Sequence, residues 1–214
     1  MELGEFCEAA TADDRDRIAA LTREALEAGA LGFASSRLLL HRNRDGELIP
    51  SHGAEAPEYD AIASAMRSAD VGVVEIVTNF LNIDDEFTPI RRLAEQSGRP
   101  VSFSLAQTLD APQAWRWALE LTDAANRAGR NIKAQVIGRP TGFLLGLDVS
   151  FNPFSLFPSC QAIAKRPLKD KVEILGQPEF RRRLLSERPV GSPLPLLASL
   201  KRFDWMFPLG DPPV

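Results

Sequence analysis

The sequence predicts an α/β fold: about four parallel strands with helices outside them, forming part of a (β/α)8 TIM-type barrel, followed by a C-terminal segment of loops and short helices. Three observations carry this expectation. A helix-then-strand phrase recurs four times between residues 11 and 137. No hairpin signal joins successive strands, so they run parallel with the helices as crossovers. The strands also alternate apolar with polar residues: Val101, Phe103 and Leu105 against Ser102 and Ser104, then Ile132, Ala134 and Val136 against Lys133 and Gln135. An open doubly wound sheet is covered by helices on both faces and wants apolar residues on each. A barrel turns one face inward, so the polar set favours a piece of barrel, whose complete form takes about 250 residues.

Each element follows in order. Thr11 is a helix N-cap with Asp13 and Asp14 in the first turn, where carboxylates complement the dipole. Ile18, Leu21, Ala25 and Ala28 then recur at helical spacing, predicting a helix over 12–28 closed by Gly29, and the apolar run 30–35 is the first strand. Pro57 to Ala69 places Tyr59, Ile62, Ala63 and Met66 on one helical face before the strand 71–77. Asp84 to Ser97 groups Ile90, Leu93 and Ala94, closes at Gly98 and feeds the strand 100–106. Asp110 is a suitable cap for a helix bearing Trp115, Leu119 and Thr122 that ends near Gly129, before the strand 131–137. Past Gly138 the phrase stops. A long loop leads to short helices at 160–165, 167–175 and 178–186, and the Pro-rich end holds Trp205 to Phe207 as an apolar plug. The expected division is a partial barrel over 1–140 and an extension of the same domain over 141–214.

Composition narrows the function. The 214 residues are 44% hydrophobic and 25% charged, ordinary for a globular chain. A net charge of -4 supplies no basic field for nucleic acid. No apolar stretch approaches the roughly 18 residues of a membrane helix. The acidic start at Met1 to Glu5 lacks the basic region of a signal peptide, which points to the cytoplasm, where Cys7 and Cys160 are expected as buried or half-buried thiols. Only His41 and His52 are present, and two histidines limit metal chemistry.

Four blocks then look familiar. Glu27-Ala-Gly-Ala-Leu-Gly-Phe-Ala-Ser-Ser-Arg37, with Leu40-His41-Arg42 and Asp45-Gly46 after it, resembles a segment of the N-acyl-D-amino-acid deacylases of amidohydrolase family 3. The blocks 92–102, 138–147 and 203–211 resemble parts of other members in the same order, so the likeness extends over nearly the whole chain. It implies a D-aminoacylase-like hydrolase of non-peptide C–N bonds, built on a barrel in which zinc activates water against an amide carbonyl. The family's His-x-His motif and the histidines of its middle strands are missing here. The resemblance therefore implies an internal segment whose zinc ligands and catalytic aspartate lie elsewhere, with no catalytic or metal residue assigned in this chain and no zinc bound by it alone. The alternative is a non-catalytic relative that binds small amides or oligomerises.

Candidate residues follow from strand ends, where barrel sites are built. Arg37 and Arg139 each follow a strand and could clamp a substrate carboxylate through a bidentate pair, or tie loops together. His41 lies in the loop after the first strand, either beside a small-molecule amide substrate or simply solvated. Glu75 and Lys133 are the charges on the inner face, and a structural ion pair between them, bridged through Ser102, Ser104 or Gln135, is expected ahead of acid-base catalysis. Strands cut from a closed barrel leave open edges, so a homo-oligomer or poor solubility is expected.

Overall fold

Thr11 opens the first helix, α1 (Ala12–Glu27), through a reciprocal capping box: its hydroxyl accepts from the Asp14 N–H at 3.2 Å, and the Asp14 carboxylate accepts from the Thr11 N–H at 3.0 Å. These bonds hold the Asp14 carboxyl below its ordinary range, with the Thr11 hydroxyl the largest cause. The computed structural model describes residues 9–43, 47–79, 82–107, 111–139, 142–149, 151–190 and 203–210. The chain divides into two units, Met1–Pro140 and Thr141–Val214.

In the first unit, α1 is followed by β1 (Gly32–Ser36), a 3-10 turn at Pro50–Gly53, α2 (Ala56–Ala69), β2 (Val73–Val77), α3 (Ile83–Ser97), β3 (Val101–Leu105), α4 (Ala114–Arg127) and β4 (Ile132–Val136). The four strands form one parallel sheet in the order β1-β2-β3-β4. Sequential order with no reversal is the order of a barrel arc, whereas a doubly wound sheet reverses at its switch point.

The helices all pack on one face. Leu26, Ile62, Met66, Ile90, Leu93, Ala118 and Ala125 form a single core with Val74, Ile76, Val101, Phe103, Leu105 and Ile132. The opposite face carries Ala34, Glu75, Ser102 and Lys133 in one row of the register, and Ala34, Lys133 and Gln135 on it are exposed. This one-sided cover is the partial (β/α) barrel, α/β in class.

Strand boundaries moved for a local reason. The helices α1 and α4 close with the same bond set, in which the Ala30 N–H donates to Ala25 and the Arg130 N–H to Ala125. The Ala30 donor is spent on the end of α1, so β1 begins at Gly32 rather than at residue 30, and β4 begins at Ile132, one residue after its expected start. The helix α4 starts after Gln113, which makes no side-chain cap bond, and Asp110 lies outside the described residues. On α4 the buried stripe is Ala118, Thr122 and Ala125, while Leu119, expected in the core, is 37% exposed.

The second unit holds α5 (Pro158–Ile163), α6 (Leu168–Gly176), α7 (Pro178–Ser186) and a 3-10 turn at Phe203–Trp205. Cys160, Ile163, Phe180 and Leu184 make its core, with Phe154 and Phe157 against them. Glu187 fixes the start of α5 by accepting from the Ser159 N–H at 2.9 Å and from the Ser159 hydroxyl, while Arg183 donates to the same hydroxyl at 2.9 Å. Phe207 is exposed, contrary to the expected apolar plug. No described helix is long and apolar enough to cross a membrane.

Candidate functional site

Parallel strands place their C-terminal ends on one side of the sheet, and the chain leaves each strand there into a loop. After β1 that loop is held by bonds of long sequence range. The Arg37 N–H donates to the Val77 carbonyl at 2.8 Å, extending the ladder one residue past the strands. The Arg37 carbonyl then accepts twice, from Asn79 Nδ2 at 2.7 Å and from His52 Nδ1 at 2.8 Å. Since a carbonyl only accepts, His52 Nδ1 is the donor in this bond. Asn79 Oδ1 takes the Leu39 N–H at 2.8 Å, so this one amide clamps both sides of Leu38.

Ser36 is the second anchor. Its buried hydroxyl lies 2.7 Å from His41 Nδ1 and accepts from the Leu38 N–H at 3.2 Å, while its carbonyl accepts from Ser51 Oγ at 2.8 Å. His41 is thereby oriented through one ring nitrogen, and its side chain is exposed.

The two arginines differ. Arg37 is turned inward: Nη1 donates to the Ala54 carbonyl at 3.2 Å, and Nε lies 3.8 Å from Glu86 Oε2 on α3. Nε, Glu86 Oε2 and the Thr78 hydroxyl are buried without a hydrogen-bond partner, so this end of β1 and β2 holds polar groups in excess of their bonds. Arg37 therefore ties the loop to the body of the sheet. Arg139 follows β4, is exposed and has no partner among the described residues.

On the polar face, Glu75 is half-buried and receives the Ser102 hydroxyl on Oε2 and the Ser104 hydroxyl, at 3.3 Å, on Oε1. Lys133 does not join it. Ser102 stands between them in the register and satisfies the carboxylate, so the expected ion pair is replaced by two serine hydrogen bonds. Desolvation pushes the Glu75 carboxyl above its ordinary range, and the Ser104 bond partly offsets it. A raised carboxyl favours the protonated folded form. Its contribution to stability is present below the ordinary carboxyl range and is lost as pH rises through the raised value. Glu75→Gln is therefore expected to raise the urea midpoint at pH 7 and to leave it unchanged near pH 4. A variant destabilised at pH 7 would show that the charged carboxylate is favoured instead.

A zinc site needs about three converging ligands. Among the described residues no group of three His, Cys, Asp or Glu side chains is placed to hold a metal ion. Each histidine has Nδ1 engaged, and both Glu75 oxygens accept hydroxyls. The described residues do not fit a catalytic metal.

Sequence reasoning placed Arg37, His41 and Arg139 at strand ends, but it missed Asn79, Ser51 and Glu86. Only the polar residue just past an apolar strand gave a signal for Asn79; its partners lie about forty residues away in the chain.

No protein-family model matches the chain, and no curated protein does. Three solved structures match its fold. One is a D-aminoacylase with a binuclear metal centre, 19% identical with a TM-score of 0.51, where the match covers 64% of this chain and 27% of that one. A second is a D-aminoacylase mutant in complex with 100 mM CuCl2, 19% identical with a TM-score of 0.51, covering 68% of this chain and 30% of that one. The third is a D-aminoacylase that defines a novel subset of amidohydrolases, 18% identical with a TM-score of 0.52, covering 87% of this chain and 39% of that one. In fold, then, this chain is similar to part of the D-aminoacylase amidohydrolases, spanning less than half the length of the chains it matches.

Proposed function

We propose that this chain forms one arc of a metal-dependent amidohydrolase barrel acting on linear C–N bonds of N-acyl amino acids or related amides. The supporting observation is a one-sided, sequentially ordered parallel sheet whose C-terminal ends carry an oriented exposed histidine and an exposed arginine with no partner among the described residues, in a fold similar to part of D-aminoacylase. In this reading Arg139 meets the substrate carboxylate and His41 presents Nε2 to a polar group of the amide, while Arg37, Asn79 and His52 hold the loop. The metal, zinc in the related enzymes as the sequence resemblance implies, is held by residues outside the described set. In this reading the 214-residue chain alone has no amidase activity.

Saturation-transfer NMR with an N-acetyl amino acid, alongside an assay of amine release in added zinc, tests both halves. Weak binding lost in Arg139→Ala, without amine release, is the expected result. Chelator-sensitive hydrolysis would overturn the division of labour, and absence of binding would overturn the substrate rim. A second reading, a relative that binds amides without turnover, is favoured by the same donor set. It is distinguished when the N-acetyl amino acid is hydrolysed only after the missing arc is supplied.

A further inference from the structure

We propose that the second unit binds a small monocarboxylate with an apolar tail of about six to eight carbons, in the cavity between Leu147, the stretch Phe151 to Leu156, and the helices α5 and α6. The site goes beyond the amide reading and does not depend on it, because every residue it uses lies in Thr141–Val214.

Shape supplies the first argument. The cavity measures about 300 Å³. That is at the small end for ligand sites and roughly twice the size of an apolar cavity of about 150 Å³ that accepts benzene. Leu147, Phe151, Leu156, Ile163 and Leu175 line it, so most of a guest meets hydrocarbon. Gln161 and Ala164 line it as well, and their exposure marks the open side. The walls are held by bonds of the chain itself. The Gly146 N–H donates to the Phe151 carbonyl at 3.1 Å, the Asn152 N–H to Ser155 Oγ at 2.8 Å, and the Val190 N–H to the Leu156 carbonyl at 2.8 Å. A site formed in advance loses little affinity to ordering itself.

Charge supplies the second. Lys171 is half-buried, and its ammonium makes one hydrogen bond, to the Leu147 carbonyl at 2.9 Å. Among the described residues no carboxylate lines the cavity or pairs with this lysine. A cation withdrawn from water is costly until an anion joins it. Asn152 adds further donors. Its Oδ1 accepts from the Phe154 N–H at 2.9 Å and from the Cys160 thiol at 3.6 Å, which orients the amide and leaves Nδ2 with no partner among the described residues. Cys160 links the two groups, since its thiol bonds to Asn152 and also feels the Lys171 charge. Burial pushes that thiol above its ordinary range, and the Asn152 bond and the Lys171 ammonium offset only part of the rise. The sulfur therefore adds no negative charge. Glu187, which also acts on the thiol, is already bound to the Ser159 N–H and hydroxyl.

One ammonium and one amide set against apolar walls select a ligand with a single negative head and a hydrocarbon tail. A phosphate or a dicarboxylate would bury charge against leucine and phenylalanine with no donor to meet it. A carboxylate can meet Lys171 with one oxygen and Asn152 with the other.

Isothermal titration of the full chain with octanoate tests the proposal. Octanoate is expected to bind, and octanamide, which has the same shape without the charge, to bind at least about tenfold more weakly. Lys171→Met should bring octanoate down to the level of octanamide. Asn152→Asp keeps the Oδ1 acceptor that orders the stretch, replaces the donor by a repelling oxygen, and should weaken octanoate by a similar factor. Ala164→Phe, at the open side, fills the cavity and should abolish binding of both ligands. Circular dichroism checks that each variant folds. Should Lys171→Met unfold the stretch it ties, the comparison of the two ligands on the unmodified protein and the Ala164→Phe variant still decide. Arg139→Ala separates this site from the strand ends of the first unit: it should leave octanoate binding unchanged, whatever it does to an N-acetyl amino acid. No octanoate binding, equal binding of octanoate and octanamide, or binding that survives Ala164→Phe would each overturn the proposal. Octanoate binding lost in Arg139→Ala would overturn it too, by moving the acid to the strand ends.

Discussion

Gly32→Ala is expected to cost the first unit about 3 kcal/mol or more, the upper end for forcing atoms into a filled space. A Cβ built on Gly32 lies 1.9 Å from the Val73 carbonyl oxygen and 2.7 Å from its nitrogen. Both atoms belong to the β2 backbone, so no side-chain rotation relieves the clash, and β1 must move off the sheet. The neighbouring turn cannot give way either. A Cβ on Gly72, whose φ is +88°, lies 3.2 Å from the Gly32 Cα and 2.9 Å from Leu26 Cδ2, so these two glycines meet where the α1–β1 and α2–β2 turns pass each other. Gly29→Ala is the control. Its φ is +100° but nothing lies within 4 Å, leaving only the left-handed backbone penalty of about 1 to 2 kcal/mol. Urea unfolding separates them. Equal losses at the two sites would mean that β1 does not approach β2 as closely as the register requires. Because β1 ends at Ser36 and leads into Arg37, its displacement should also abolish the proposed binding of an N-acetyl amino acid.

How far this arrangement was legible in the sequence depended on the range of the interaction. The capping box at Thr11 and Asp14 spans three residues and could be read directly. The polar inner set of Glu75, Ser102 and Lys133 followed from a two-residue alternation and shares one row of the register. What alternation could not show was which partner wins. Lys133 and Glu75 share a face, but Ser102 is one strand nearer to the carboxylate and reaches it first. Leu119 shows the same limit on a helix. It is one residue past Ala118, a rotation of about 100°, which carries it from the buried stripe to the margin. At the rim, the strand ends located Ser36, Arg37 and His41, whereas the role of Arg37 was set by Ala54 and by Glu86 on α3, contacts that no local pattern encodes. Arg37 is a tie, whereas Arg139, with no partner among the described residues, keeps both of its expected roles open.

Phe103→Ala should be the most costly truncation in the core, about 3 to 5 kcal/mol. Phe103 is fully buried at the centre of β3, flanked in register by Ile76 and Ala134, and it meets Phe87 of α3 edge-on with ring centroids 5.9 Å apart and planes at 89°. The ring pair contributes about 0.5 to 1.5 kcal/mol beyond the area it buries. Removing one ring opens a cavity between the sheet and the only helix that carries both Phe87 and Glu86. Against a total stability of about 5 to 15 kcal/mol for a domain, that loss consumes a large share. Phe103→Leu, which keeps most of the volume, should cost much less, about 1.5 kcal/mol. The consequence reaches the polar face, because Phe103 lies between Ser102 and Ser104 on the same strand, and their hydroxyls hold Glu75. A loosened β3 admits water to that carboxylate and lowers its raised pKa. Urea midpoints give the stability loss, and carboxyl chemical shifts followed against pH give the second effect. A full loss of stability with an unmoved Glu75 titration would show that the helix-side core and the inner face are mechanically separate. A loss under about 1 kcal/mol would show that α3 does not pack on β3 through this ring pair.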